Sequence, residues 1–338
     1  MNLTRRKALE AAVAAALAGL VPAALAAARN ELRIATVAPA GSSFHKRLQA
    51  LSAEWSRGPG GVTMNIYPGT QGGELQIVRR MRVGQIQGAA LTSVGLGQLE
   101  RSVTALQFMP LMFKDWEDVD RVREKLRPDL ERRLKEAGYV AMFWADAGWV
   151  RYFSKNPIRS VRDLKAMRVY ASSGDPDSIE MMKEYYTPVV LEPDQILLGL
   201  RNGMIDALPV PAFLANFNQV ATYAPYMLDL NWAPITGALV VTERAWKQLD
   251  PAAQAWLRET SERAGVEMRR AARAEDEAAV QAMKDKQGLK IVSLTPDAER
   301  EFRGELARIY PRIRGALVPE PMFDATVATL KSGGKPAQ

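Results

Sequence analysis

The strongest constraint on the fold is an alternation of strand-like and helix-like segments that begins at residue 31. Glu31 to Val37 alternates apolar and polar residues, the turn-rich Ala38-Pro-Ala-Gly-Ser-Ser follows, and a helical pattern runs to Trp55. Val62 to Tyr67 reads as the next strand, Pro68 to Gly73 as a loop, Glu74 to Val83 as a helix and Gly88 to Ser93 as a third strand. Strands separated by helices argue for parallel βαβ units, because a parallel neighbour can be reached only by crossing over the sheet. The expected class is α/β.

A second series follows. Val119 to Ala137 reads as a charged helix with a break or kink at Pro128, and Gly138 ends it before the strand Tyr139 to Phe143, which Trp144 to Phe153 continues toward a loop. Met167 to Ala171 and Thr187 to Leu191 read as strands, Asp194 to Asn202 as a helix stopped by Gly203, and Met204 to Ala207 as a short strand. Asn231 to Thr242 is a long strand interrupted by Pro234 and Gly237, long enough to cross back to the first series. Asp250-Pro251 then opens a helix that Gly288 closes, with apolar residues from Leu257 to Met283 along one stripe. At 1.5 Å per residue that helix would run about 55 Å, enough to brace two lobes. The expected division is 29–148 with 236–275 as lobe I, 149–235 with 276–330 as lobe II, and 331–338 as a flexible tail.

Thr4-Arg5-Arg6-Lys7 precedes the alanine-rich stretch Ala8 to Ala28, whose only charge is Glu10. A basic start, an apolar stretch and small residues at Ala24-Leu25-Ala26 are the layout of a secretory signal peptide over 1–28, and the paired arginines fit a twin-arginine export signal. Gly19, Pro22 and the dominance of alanine argue against a membrane span. Periplasmic localisation is expected on this ground alone. The 338-residue chain carries a net charge of +7, and removal of the signal leaves about +5. Basic and acidic residues are interspersed, which argues against a nucleic-acid partner.

The chemical inventory is thin. Cysteine is absent and His45 is the only histidine, which excludes thiol chemistry and His-rich metal sites. His45 reads as a polar residue near a helix start. Neither GxGxxG nor GxxxxGK[ST] occurs, so no nucleotide or other cofactor is expected, and no metal. The aromatic run Phe143 to Phe153 reads by spacing as core.

Taken together, these segments resemble the DctP-type solute-binding proteins of TRAP transporters over essentially the whole chain after the signal. Tyr67-Pro68-Gly69 through Gly73-Glu74 to Val83-Gly84, and Leu106 to Phe113 with Met109-Pro110-Leu111-Met112-Phe113, are similar to family segments. Ser154-Lys155-Asn156-Pro157-Ile158 and Asp163-Leu164-Lys165-Ala166-Met167 are similar to its "SKxPI" and "DLKGL". Leu198 to Asp206, Tyr223 to Leu230 and Val240 to Leu249 continue the resemblance in the same order. It implies a periplasmic-binding-protein-like fold of two lobes joined by hinge strands, with the long helix bracing both.

The resemblance also implies a function. The chain would capture a small organic ligand between its lobes, a carboxylate with an apolar or aromatic body, and deliver it as a monomer to the membrane subunits of a TRAP permease. In the family's "KIRV" the arginine pairs with the substrate carboxylate; without a gap, Tyr170 occupies its place and Arg168 that of the lysine. Arg168, which offers two parallel donors, is nominated for that role. Arg151 and Tyr170 are nominated beside it, with Ser42-Ser43, Ser93 and Ser172-Ser173 as hydrogen-bonding walls and Trp144, Trp149, Val210, Phe213 and Trp232 as apolar ones. Leu208-Pro209-Val210-Pro211 lacks the polar residues of sugar-acid binders. The competing readings are a receptor for an ABC permease, a periplasmic scaffold, and an enzyme using Arg168 as clamp and Asp146 as base.

Overall fold

The computed structural model describes residues 30–172 and 176–332, apart from the side chains of residues 177 and 193. The expected signal segment, Ser173 and the last six residues lie outside the described residues. No helix of the described residues is long and apolar enough to cross a membrane.

The βαβ alternation closes into one mixed sheet. Its strands are β1 (Glu31–Thr36), β2 (Thr63–Pro68), β3 (Gly88–Thr92), β4 (Tyr139–Ser154), β5 (Arg168–Ser172), β6 (Thr187–Leu191), β7 (Ala207–Pro211), β8 (Tyr226–Leu228), β9 (Ala233–Thr242) and β10 (Lys290–Val292). The spatial order is β2-β1-β3-β9-β4-β7-β5-β6, with β8 joined to β4 and β10 to β8. In the first lobe β1 lies parallel to β2 and β3; in the second, β5 lies parallel to β6 and β7. β4 joins the two, pairing antiparallel with β9 from Tyr139 to Val150 and with β7 from Val150 to Ser154.

This single 16-residue strand replaces the expected strand and loop at Tyr139 to Phe153. Two register shifts, between Ala141 and Phe143 and between Asp146 and Trp149, let it continue from one lobe to the next. The second contains Gly148 at φ 96°, a conformation that side chains with a Cβ resist.

The long helix, Pro251–Gln287, starts where its capping residues place it. Asp250 Oδ1 accepts the Ala253 N–H at 2.8 Å, Pro251 occupies the first turn, and Gly288 at φ 71° ends the helix. It packs on β4, on the first-lobe helix Ser43–Trp55 and on the second-lobe helix Ala212–Phe217, and so braces both lobes.

Three expectations are corrected. Helix Trp116–Glu136 runs through Pro128 without a break, with Pro128 exposed and Leu126 and Leu130 on either side of it buried. The strand expected at Met204 to Ala207 lies at Ala207–Pro211, because Pro209 and Pro211 tolerate a strand bonded to β5 through Ala207 alone. The C-terminal helix Glu320–Ser332, assigned with lobe II, packs instead on Trp116–Glu136 of the first lobe through buried residues that include Met322 and Phe323.

Candidate functional site

Parallel strands leave a crevice beyond their carboxyl ends, and two lobes facing each other across β4 and β9 enlarge it. A cavity of about 280 Å³ lies there. The second lobe contributes Tyr170, Ala171 and Ser172 at the end of β5, Ser178, Ile179, Met181 and Met182 from helix Pro176–Met182, and Pro209 from β7. The first lobe contributes Val94, Gln107, Phe108 and Pro110, while Val150, Tyr152, Trp232, Ala233 and Ile235 form the floor. Ile309, Ile313 and Leu317 close one side.

Neighbouring groups hold these walls. Trp232 stands edge-on to Tyr152 with ring centroids 4.9 Å apart, and the Tyr152 hydroxyl hydrogen-bonds Tyr186. Burial pushes the Tyr152 phenol well above its ordinary range. It pushes Tyr170 up too, against a hydrogen bond with Ser172. Both phenols are neutral donors and acceptors at physiological pH. Pro110 is fixed through its carbonyl, which accepts the Tyr310 hydroxyl at 2.7 Å. Val94 sits on a turn held by Glu74, whose carboxylate accepts the N–H groups of Thr92 at 2.6 Å and Gly95 at 2.9 Å. Burial nevertheless leaves the Glu74 carboxyl raised. The Oε1 of Gln107 is buried and accepts no hydrogen bond from the protein.

A smaller cavity of about 140 Å³ adjoins through Ile235, lined by Thr36, Val37, Phe44, Leu91, Phe213 and Leu214 among others. Asp146 lies at its edge, fully engaged: Arg123 Nη1 donates to it at 3.1 Å and Arg273 Nε at 2.9 Å. Burial pushes its carboxyl up while the two guanidiniums pull it down. A carboxylate so held is a brace rather than a base.

Of the residues nominated from sequence, Tyr170, Ser172 and Trp232 line the larger cavity and Phe213 the smaller. The others lie elsewhere. Arg168 stands at the amino end of β5, half-exposed, donating from Nε at 2.9 Å and Nη2 at 2.8 Å to Asp206, so its fork is already occupied. Arg151 donates from Nε to Asn231 Oδ1 at 3.3 Å, while its chain neighbours Val150 and Tyr152 line the cavity. Trp149 is buried against Trp116, ring centroids 4.8 Å apart. Ser93 Oγ is buried 2.8 Å from Thr236 Oγ1. Val210 packs in the second-lobe core beside Leu208, while Pro209 faces the cavity. His45 accepts the Gly41 N–H at Nδ1, a local turn contact.

Sequence reasoning missed Gln107 and Phe108, although the segment from Leu106 to Phe113 stood out as a family element. It also took Tyr152 for core, since the aromatic run from Phe143 carries no mark of which ring faces a cleft. Ile309 and Ile313 come from a part of the chain with no local signal.

A mixed two-lobed sheet with a cavity at the interlobe strand ends and a bracing helix defines a solute-receptor architecture. The chain belongs to the bacterial extracellular solute-binding protein family 7, the DctP family, whose model matches residues 34–315. It is 22% identical over 275 residues to the C4-dicarboxylate-binding periplasmic protein DctP of Rhodobacter capsulatus, covering 80% of this chain and 82% of that one. In fold it is similar to a TRAP periplasmic solute-binding protein from Ralstonia eutropha H16 with bound (S)-2-acetolactate, at TM-score 0.82 and 19% identity over 90% of this chain and 99% of that one. It is also similar to a Bordetella pertussis extracytoplasmic solute receptor binding pyroglutamic acid, at TM-score 0.80 and 15% identity over 89% and 99%.

Proposed function

We propose that this protein is the periplasmic receptor of a TRAP transporter, exported by the segment 1–28, which captures a small organic solute with an apolar or aromatic body between its lobes and delivers it to the permease. The observation that carries the reading is the cavity of about 280 Å³ whose walls come from both lobes across the shared strands β4 and β9. A solute touching Tyr170 on one lobe and Phe108 on the other makes both contacts only when the lobes are together, and that difference in contact is what drives closure. Its size suits a solute of about one ring with a short substituent, at the lower end of the roughly 300–1,000 Å³ of small-molecule sites.

Titration of the purified mature chain with a library of small organic solutes, charged and neutral, tests this by thermal shift, because a ligand of the folded state alone raises Tm by mass action. A saturable rise that Trp232→Ala abolishes supports the reading. Turnover of the bound solute would replace it with an enzyme, and Trp232→Ala leaving the shift unchanged would place the ligand elsewhere.

A further inference from the structure

The cavity differs from a carboxylate site in a way its walls make explicit. Among the described residues, no lysine, arginine or histidine lines it. Tyr170, a neutral phenol, stands in its wall where β5 ends. Of the nearby arginines, Arg168 pairs with Asp206, Arg312 beside Ile313 with Glu184 and Arg308 beside Ile309 with Glu305, while Arg151, between Val150 and Tyr152, donates to the neutral Asn231 and does not line the cavity. The charge acting on Tyr170 is that of Glu192, the same sign a carboxylate ligand would bring.

A carboxylate that leaves water for such walls loses its hydration without gaining a counter-charge, and neutral hydroxyls compensate only part of that loss. A neutral solute avoids the loss. Gln107 supplies the complementary observation, since its buried Oε1 has no donor from the protein. A side-chain carboxamide presents an acceptor oxygen and a donating amide NH2. A primary amide on the ligand matches both ends, whereas an ionised carboxylate offers acceptors only and leaves Oε1 unpaired.

We infer that this cavity selects uncharged solutes, a ring or short branched chain carrying a carboxamide or similar neutral donor-acceptor group, with Gln107 as its polar partner and Tyr170 as the residue that sets the preference against carboxylates. The inference rests on the receptor reading and names its ligand class.

Matched pairs of equal shape test it: 3-phenylpropanamide against 3-phenylpropanoate, cyclohexanecarboxamide against cyclohexanecarboxylate, and isovaleramide against isovalerate. The mature chain is freed of co-purified ligand, and each compound is titrated at pH 7.5 by thermal shift and calorimetry. At least one amide binds saturably and at least tenfold more tightly than its acid. Gln107→Leu weakens that amide at least tenfold with Tm of the unliganded chain little changed, and Tyr170→Arg reverses the preference within the pair. Carboxylates binding as well as or better than amides in the wild-type chain overturn the inference and leave the receptor reading standing. An amide that binds equally well to Gln107→Leu removes Gln107 from the site and overturns the assignment. Failure of every member of every pair to bind the folded chain, while some other solute from the wider library does bind, overturns the stated ligand class alone. Failure of the wider library as well overturns the receptor reading with it.

Discussion

The carboxylate of Asp276 occupies the space that a Cβ on Gly148 would need. Gly148, at φ 96°, lies in the second bulge of β4, where that strand passes from one lobe to the other, and Asp276 rises to meet it from the long helix. With the Cβ absent, the carboxylate reaches past the bulge and accepts two backbone N–H groups, from Trp149 at 3.2 Å and from Phe213 at 3.1 Å. One side chain thus ties β4 and the corner after β7 to the helix that braces both lobes.

Asp276→Ala should therefore lower stability by about 2–4 kcal/mol, the cost of leaving two buried N–H groups unpaired. Gly148→Ala should cost more than about 2 kcal/mol, from the left-handed backbone and the collision together. The two are not independent. In an Asp276→Ala background the collision is gone, so Gly148→Ala should cost less there than in the wild type; urea unfolding of the four chains measures the difference, and strict additivity would refute the contact.

A second buried arrangement joins the same elements. Arg123, with a side chain 2% exposed, lies between Asp120 and Asp146, and Arg273 of the long helix contacts both acids. Asp146→Ala leaves Arg123 buried with one partner fewer, and removing one partner of a buried pair is far more costly than the pair is worth. The expected loss is about 3–5 kcal/mol. Urea unfolding checks it, and a loss under about 1 kcal/mol would mean that water or Asp120 takes over the vacated site.

Arg168→Ala should leave ligand affinity within twofold of wild type, as calorimetry would show, since the guanidinium lies on β5 at the end away from the cavity and pairs with Asp206. Its effect belongs to stability. The hydrogen bond from Arg168 holds the Asp206 carboxyl below its ordinary 3.8. A depressed folded pKa contributes stability that is present above the unfolded value and is lost as pH falls through the folded one. Wild type and variant should therefore differ slightly in Tm above pH about 4 and converge below it. A large loss of affinity would return Arg168 to the site.

What the sequence made legible follows from how local each signal is. The strands β1, β2, β3 and β6 and the helix from Pro251 to Gln287 declare themselves through periodicity and caps, which depend on neighbours within a few residues. The unity of β4 does not, because its bulge at Gly148 is held by Asp276, more than a hundred residues away. The site shows the same division. Counting along the motif without a gap set Tyr170 at the family's arginine position, and transferring the role to Arg168 considered only which face of the strand a residue shares. Two residues back along a strand is a shift of about 6–7 Å toward the amino end, away from the crevice where parallel strands bind. Gln107 and Ile313 meet in the cavity only through tertiary packing.

Glu74 connects the resemblance to the site through such packing. The Gly73-Glu74 step begins the helix Glu74–Arg82, and the carboxylate turns back to accept from Thr92 N–H, Thr92 Oγ1 at 2.7 Å and Gly95 N–H. Those donors belong to the turn that carries Val94 into the cavity wall. Glu74→Ala orphans two backbone N–H groups in a buried place and frees the turn to move, so stability should fall by about 2–4 kcal/mol and affinity for any solute in the cavity should fall with it. Glu74→Gln keeps one acceptor oxygen and should lose less of both. The comparison by thermal unfolding and calorimetry is decisive in one direction: if Glu74→Ala lowered stability yet bound solute as wild type, Val94 would not depend on this turn for its place in the wall.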